Sequence, residues 1–258
     1  SAREIMEKLR QTPTQSGGPR LDQLAGDLAF QQEFYTEAAL YYARAIQQGS
    51  ADPELYTSYG DALFKSNRPK DAALFFSMAR RWDATFPPAQ VGLALCLSET
   101  DSIDQAIQFL EERIEQQLDL QPSTVIPLIL GLAQLHLKRG DLISAEAQVA
   151  RAVKKDPTAH EPWKLQAEIA LRADPSGKRA LQAYRAYLAR NPMEPSMYLG
   201  RYQVHLKLGR FDEALNDLNT LNQLFPRFPD LHFYRGQLYF KMGNLQAGAS
   251  EYEQELKN

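Results

Sequence analysis

"HLKLGRFDEAL", His205 to Leu215, has two echoes in the chain: "HLKRGDLISAE" from His136 and "YFKMGNLQAGA" from Tyr239. The small residue near the end of each stretch serves as a ruler. Ala38, Ala72, Ala106, Ala145, Ala180, Ala214 and Gly248 stand in equivalent contexts, spaced by 34, 34, 39, 35, 34 and 34 residues. A period of this length, sustained over most of a chain, is the mark of a repeat architecture.

Each unit reads as two helices around a turn. From Tyr198 to Leu208 apolar residues recur three and four apart, Gly209 and Arg210 make a turn, and Phe211 to Leu224 carries Leu215, Leu218, Leu221 and Leu224 as a second helical stripe. Gly140, Gly209 and Gly243 stand where the backbone must turn with positive φ, which costs little only for glycine. The recurring Ala lets the two helices of a hairpin approach closely. Tyr42, Phe76, Tyr184 and Tyr252, one helical turn later, are expected to fill the space between successive hairpins. Pro53, Pro87, Pro122, Pro157, Pro192 and Pro226 punctuate the units, where proline can close one helix and open the next. No strand-type alternation competes, so the expected fold is all-α.

Composition narrows the function. The chain has 258 residues, 44% hydrophobic and 24% charged, with net charge −3. It can bury a sizeable core, and it lacks the basic footprint of a general nucleic-acid binder. No apolar run is long enough for a membrane span. The opening "SAREIMEKLRQTPTQSGGPR" has no signal-peptide core and no initiator Met, which reads as an excised domain or a processed chain. The lone Cys96, in "VGLALCLSE", excludes an internal disulfide and a cysteine-built zinc site, and reads as a small buried thiol. It suits a reducing compartment; cytoplasm is favoured over periplasm, and the sequence settles localisation no further.

With Tyr56, Trp163 and Tyr198 early in first helices, and the glycine, alanine and proline pattern above, "LYTSYGDALFKSNRPKDAALFFSMA" (55–79) and "LILGLAQLHLKRGDLISAEAQVARAVKKDP" (128–157) resemble the tetratricopeptide repeat. The resemblance covers residues 19–258 as about seven hairpins. It implies a right-handed superhelical solenoid of antiparallel helix hairpins, whose concave face comes mainly from the first helix of each hairpin and binds an extended or helical peptide. Departures are Ser102 at the expected turn glycine, Arg113 at a usually small position, the "ADPSGK" turn, and five extra residues around "QLDLQPSTVIP". Ahead of the array, residues 1–18 read as a short amphipathic helix, Arg3 to Arg10 with Ile5, Met6 and Leu9 on one side, followed by a flexible "QTPTQSGGP" linker.

The residues of the first helices can be read directly. Counting back from each turn in the last four units, Lys138, Arg172, Lys207 and Lys241 stand two before it, and Leu137, Leu171, Leu206 and Phe240 three before it. Gln134, Glu168, Gln203 and Gln237 stand six before, and Leu130, Lys164, Leu199 and Phe233 ten before. These offsets share one side of a helix. The twelve residues at offsets two, six and ten are the expected groove for a protein or peptide partner of acidic, partly apolar character. The plainer alternative is that cations near a helix end only complement its dipole and that the apolar members are buried between hairpins. In the first two units Asp27, Phe30, Asp61 and Phe64 give a different surface. It does not match the Lys and Asn pattern by which some family members capture a chaperone's C-terminal carboxylate.

Nothing points to catalysis, a metal or a cofactor. His136 and His205 occupy equivalent positions and read as interface packing, no two histidines have ligand spacing on one helix, and no phosphate loop occurs. Acidic runs such as "FLEERIEQQL" and "EYEQELK" read as solvated helix faces. The expected function is a non-enzymatic protein-interaction scaffold, which the resemblance places in contexts such as bacterial envelope, secretion, pilus or polysaccharide-export assembly. The alternatives are a substrate-recognition or targeting domain of a larger enzyme, and a self-associating structural protein. No polar helix follows "GASEYEQELKN", so a homodimer through an uncapped end is a further expectation.

Overall fold

The computed structural model describes residues 18–50, 52–100, 102–117 and 121–256. The expected leader helix Arg3 to Arg10 and nearly all of its linker lie outside the described residues. Among those described there are fourteen α-helices and no strand. They are α1 (Pro19–Gln31), α2 (Tyr35–Gln47), α3 (Pro53–Lys65), α4 (Pro69–Trp82), α5 (Pro87–Thr100), α6 (Ile103–Gln116), α7 (Pro122–Arg139), α8 (Leu142–Lys155), α9 (Glu161–Ala173), α10 (Lys178–Leu188), α11 (Pro195–Lys207), α12 (Phe211–Leu224), α13 (Leu231–Lys241) and α14 (Leu245–Glu255). No helix among the described residues is long and apolar enough to cross a membrane.

The helices fall into two compact units, Ser1–Asp141 and Leu142–Asn258. The division between the units falls in the turn of the fourth repeat. In the first unit α1 pairs with α2, α3 with α4 and α5 with α6 as hairpins, and each of α3, α5 and α7 packs on the second helix of the hairpin before it. In the second, α9 pairs with α10, α11 with α12 and α13 with α14, stacked in the same way upon α8.

Local chemistry sets the helix limits. Pro53, Pro87 and Pro122 open α3, α5 and α7, where a missing N–H costs nothing. Pro157, Pro192 and Pro226 lie instead in the loops ahead of α9, α11 and α13, and Pro162 and Pro195 take the first-turn positions in α9 and α11. The Asp52 carboxylate caps α3 by accepting from the Leu55 N–H at 2.7 Å. Ser102 proves to be the N-cap of α6, its hydroxyl accepting from the Asp104 N–H at 3.2 Å. It is therefore a cap and not the turn residue.

Left-handed backbone closes the hairpins. Gly140, Gly209 and Gly243 have φ of 85°, 69° and 80°, and at the same register of the first two hairpins Glu33 and Asn67 adopt 64° and 62° without being glycine. The alanine ruler has a direct structural meaning. Ala38, Ala72, Ala106, Ala145, Ala180 and Ala214 are each 0% exposed, and within each unit the paired helices of a hairpin cross at this position with little room for more than a methyl group. Phe76 lies between two first helices: a Cβ on Gly60 would come 2.8 Å from its ring, and one on Gly92 would overlap it. Tyr42 and Tyr184 are likewise buried at hairpin junctions, Tyr184 against Gly200 of the next hairpin. Full burial of such rings contributes roughly 2–3 kcal/mol each. Tyr252 of the last hairpin is only half-buried.

Candidate functional site

The expected groove residues of the second unit lie on α9, α11 and α13. Lys164, Glu168 and Arg172 are exposed on α9, Gln203 and Lys207 on α11, and Phe233 and Lys241 on α13, with Leu199 and Gln237 half-buried among them. The charges on this face are not equivalent. Arg172 donates to Glu168 at 3.0 Å one turn away on the same helix, so the two largely neutralise each other. Lys164, Lys207 and Lys241 form no ion pair among the described residues.

Two groove residues are tied to the protein itself. Gln237 accepts from the Tyr202 hydroxyl at 3.2 Å, and that hydroxyl also reaches the Tyr234 carbonyl at 3.0 Å, linking α11 to α13. Burial pushes the Tyr202 phenol up to about 12, so it remains a donor at any physiological pH. Phe233 leans toward α14, its ring 5.7 Å from that of Tyr252. Tyr202 was not singled out from sequence, since it stands seven residues before its turn, off the counted stripe. A polar-tipped aromatic one turn from a groove position is the signal that could have found it.

In the first unit, α7 holds Leu130 half-buried and Gln134 and Lys138 exposed. The Lys138 ammonium donates to the Ser98 hydroxyl at 2.8 Å, to the Ser98 carbonyl at 3.2 Å and to Glu99 at 2.8 Å. Its charge is therefore met by α5 and is not the free cation that the stripe pattern suggests. Farther up the unit the same face turns acidic. Asp27 and Asp61 flank Tyr42, Phe30, Gln31 and Ser58 in a pocket of 270 Å³, and the Tyr42 hydroxyl donates to Asp27 at 2.8 Å. Asp61 is exposed at the pocket mouth, yet the surrounding protein desolvates its carboxyl enough to push it up to about 6, with Lys65 opposing the shift. At neutral pH this pocket is anionic, opposite in sign to the α9–α13 face.

The titratable groups elsewhere are structural in setting. His136 and His205 are buried in α7 and α11, and desolvation lowers the pKa of each. Burial pushes the Cys96 thiol up to about 12, far from a thiolate nucleophile. Among the described residues no three His, Cys, Asp or Glu side chains gather to hold a metal ion.

A sequence model described as tetratricopeptide repeat matches residues 24–89, 130–195 and 177–219, and a second, described as TPR repeat, matches 203–243. Together they cover more than half of the chain. No protein of curated function matches it by sequence. Yeast Tom70 shares the fold with a TM-score of 0.68 at 16% identity, over 98% of this chain and 53% of Tom70. The thermophilic TPR protein TTC0263 of Thermus thermophilus follows the fold at TM-score 0.58 and 16% identity, over 73% of this chain and 100% of its own. MamA does so at 0.53 and 16%, over 64% of this chain and 93% of MamA. These likenesses are of fold. With buried alanines at the repeat period in the first six repeats, a glycine in the seventh, and left-handed backbone at recurring turns, the matched segments establish that this chain belongs to the tetratricopeptide repeat family.

Proposed function

We propose that the protein is a non-enzymatic protein-interaction scaffold, and that the first-helix face of its second unit holds an extended, acidic, partly apolar segment of a partner. One observation carries this reading: Lys164, Lys207 and Lys241 stand exposed, without ion pairs among the described residues, on one face of three successive first helices. Helix-end electrostatics account for Lys207 and Lys241, which lie in last turns. They do not account for Lys164, which lies in the first part of α9, where a cation opposes the dipole. The lysines would take carboxylates, Gln203 would meet main-chain groups, and Leu199 and Phe233 would offer apolar contact. The Glu168–Arg172 pair adds no net charge to this surface. Leu130 and Gln134 of the first unit offer the same residue types, with Lys138 already held by α5.

The test is fluorescence anisotropy of a labelled extended peptide alternating Glu with Leu, titrated with the intact protein and with Lys207→Glu/Lys241→Glu. Affinity should drop at least tenfold in the double variant, and in the parent it should weaken with salt. Equal affinity for both proteins rejects the proposal.

A further inference from the structure

A second surface lies on the opposite side of α5 from the first-helix stripe. Val91, Leu95, Ser98 and Glu99 mark that stripe on α5, whereas Leu93, Leu97 and Thr100 point half a turn away into a cleft of 510 Å³. One wall is α4, contributing Lys70, Ala73, Ser77 and Arg80, and the far wall carries Phe109 of α6. The Arg113 guanidinium lies over the Phe109 ring, 5.2 Å from its centre. The cleft thus has an apolar floor and a cationic rim.

The acids on the surrounding helices are already engaged. Asp71 pairs with Arg68 at 2.7 Å, Glu99 with Lys138 at 2.8 Å and Asp104 with Arg139 at 3.0 Å, and Glu112 accepts from Gln108 at 3.1 Å. No carboxylate lines the cleft, and Lys70 and Arg80 form no ion pair among the described residues. On the outer side of α4 an apolar row follows Lys70 at four-residue spacing: Leu74, 60% exposed, borders the cleft wall, and Met78, 40%, and Trp82, 64%, turn progressively away from it. Leu74, one turn from Lys70 on this 14-residue surface helix, joins an exposed apolar side chain to unneutralised cations, a surface that water solvates poorly at one place and anions favour at the next.

We propose that this α4–α6 face docks an acidic amphipathic helix of a partner protein, separate from the first-helix face. The cleft is short and open at its edge, and the Leu74–Met78–Trp82 row runs along a helix for two turns. A partner helix would therefore seat one bulky apolar side chain over Leu93, Leu97 and Phe109, lay a second against Leu74, and bring its carboxylates to Lys70 and Arg80.

The probe is a synthetic amphipathic helical peptide with Leu and Phe anchors four apart and Glu on its flanks, together with the same peptide carrying Lys in place of Glu. Binding to the intact protein is read by anisotropy and by amide chemical-shift changes. The acidic peptide should bind and perturb α4–α6, and the Lys peptide should not. Lys70→Glu/Arg80→Glu should weaken binding roughly tenfold or more, and Leu74→Ser/Met78→Ser should weaken it without changing the circular dichroism. Lys207→Glu/Lys241→Glu should leave it unchanged, which separates this surface from the one proposed above. A change below about twofold in Lys70→Glu/Arg80→Glu overturns the proposal. So does dependence on Lys207 and Lys241. Binding of anionic lipid vesicles in place of the peptide, or a dimer dissolved by Lys70→Glu/Arg80→Glu, would assign the face to a membrane or to a second copy and equally overturn it.

Discussion

Replacing Gly92 by Ala sets two effects of known size against each other. Inside a helix, Gly→Ala ordinarily stabilises by about 0.5–1 kcal/mol, because the unfolded chain loses freedom. Here the added Cβ would lie 2.5 Å from Cδ1 and Cζ of Phe76 and closer still to Cε1. A side chain can often step aside, but this ring cannot: it is 1% exposed, and its other face rests on α3, where a Cβ at Gly60 would come within 2.8 Å. Overpacking of this kind costs about 1–3 kcal/mol. With the clash exceeding the propensity gain, Gly92→Ala should destabilise the first unit by about 1–2 kcal/mol. In a Phe76→Leu background the obstacle shrinks, and the same Gly92→Ala change should become neutral or stabilising, a coupling of roughly 1–3 kcal/mol. A two-unit chain need not unfold in one step, so native-state hydrogen exchange of the α3–α5 amides is the suitable assay, with urea melts alongside. An α3–α5 region as protected in Gly92→Ala as in the parent, or more so, refutes the packing argument.

Two further outcomes concern buried charge. Arg201 holds the Asp217 carboxylate, 2% exposed, with contacts of 2.6 and 3.0 Å, and burial already raises the Asp217 pKa. Arg201→Ala should cost about 3–5 kcal/mol near neutral pH. A raised folded pKa means stability that is present in acid and lost as pH rises through that pKa, so the deficit should shrink on acidification. Thermal melts showing a deficit independent of pH would count against it. His205 has the opposite sign: burial lowers its folded pKa, so its contribution is present above the ordinary histidine value and fades as pH falls through the folded one. Its register is filled by Leu63 in the second hairpin. His205→Leu should therefore flatten the stability loss between about pH 7 and 5, and an unchanged slope would show that His205 does not carry it.

Particular residues show how far the sequence could be read. The crossing alanines, the ring at the next register and the three turn glycines were legible because each obeys a local rule of volume or backbone angle that recurs with every repeat. Glu33 and Asn67 hid their left-handed turns, since neither is glycine and only the geometry of their hairpins imposes positive φ. Ser102 was misplaced by one position, because a cap and a turn residue lie side by side in sequence. The first-helix stripe was legible as a sequence pattern. The pairing of its charges was not: that Lys138 is held by Glu99, while Lys207 forms no such pair among the described residues, depends on a contact across 39 residues.

The α4–α6 cleft was not legible at all. Lys70, Leu93, Leu97 and Phe109 share no spacing that would join them, and they meet only because α5 carries α4 on one side and α6 on the other. The sequence alone determined a stack of helical hairpins, since periodicity and side-chain size act within one or two turns. The tertiary structure decided which charges remain unpaired, where the two units divide and where an apolar cleft opens. Those depend on distances of a few ångströms between segments far apart in the chain.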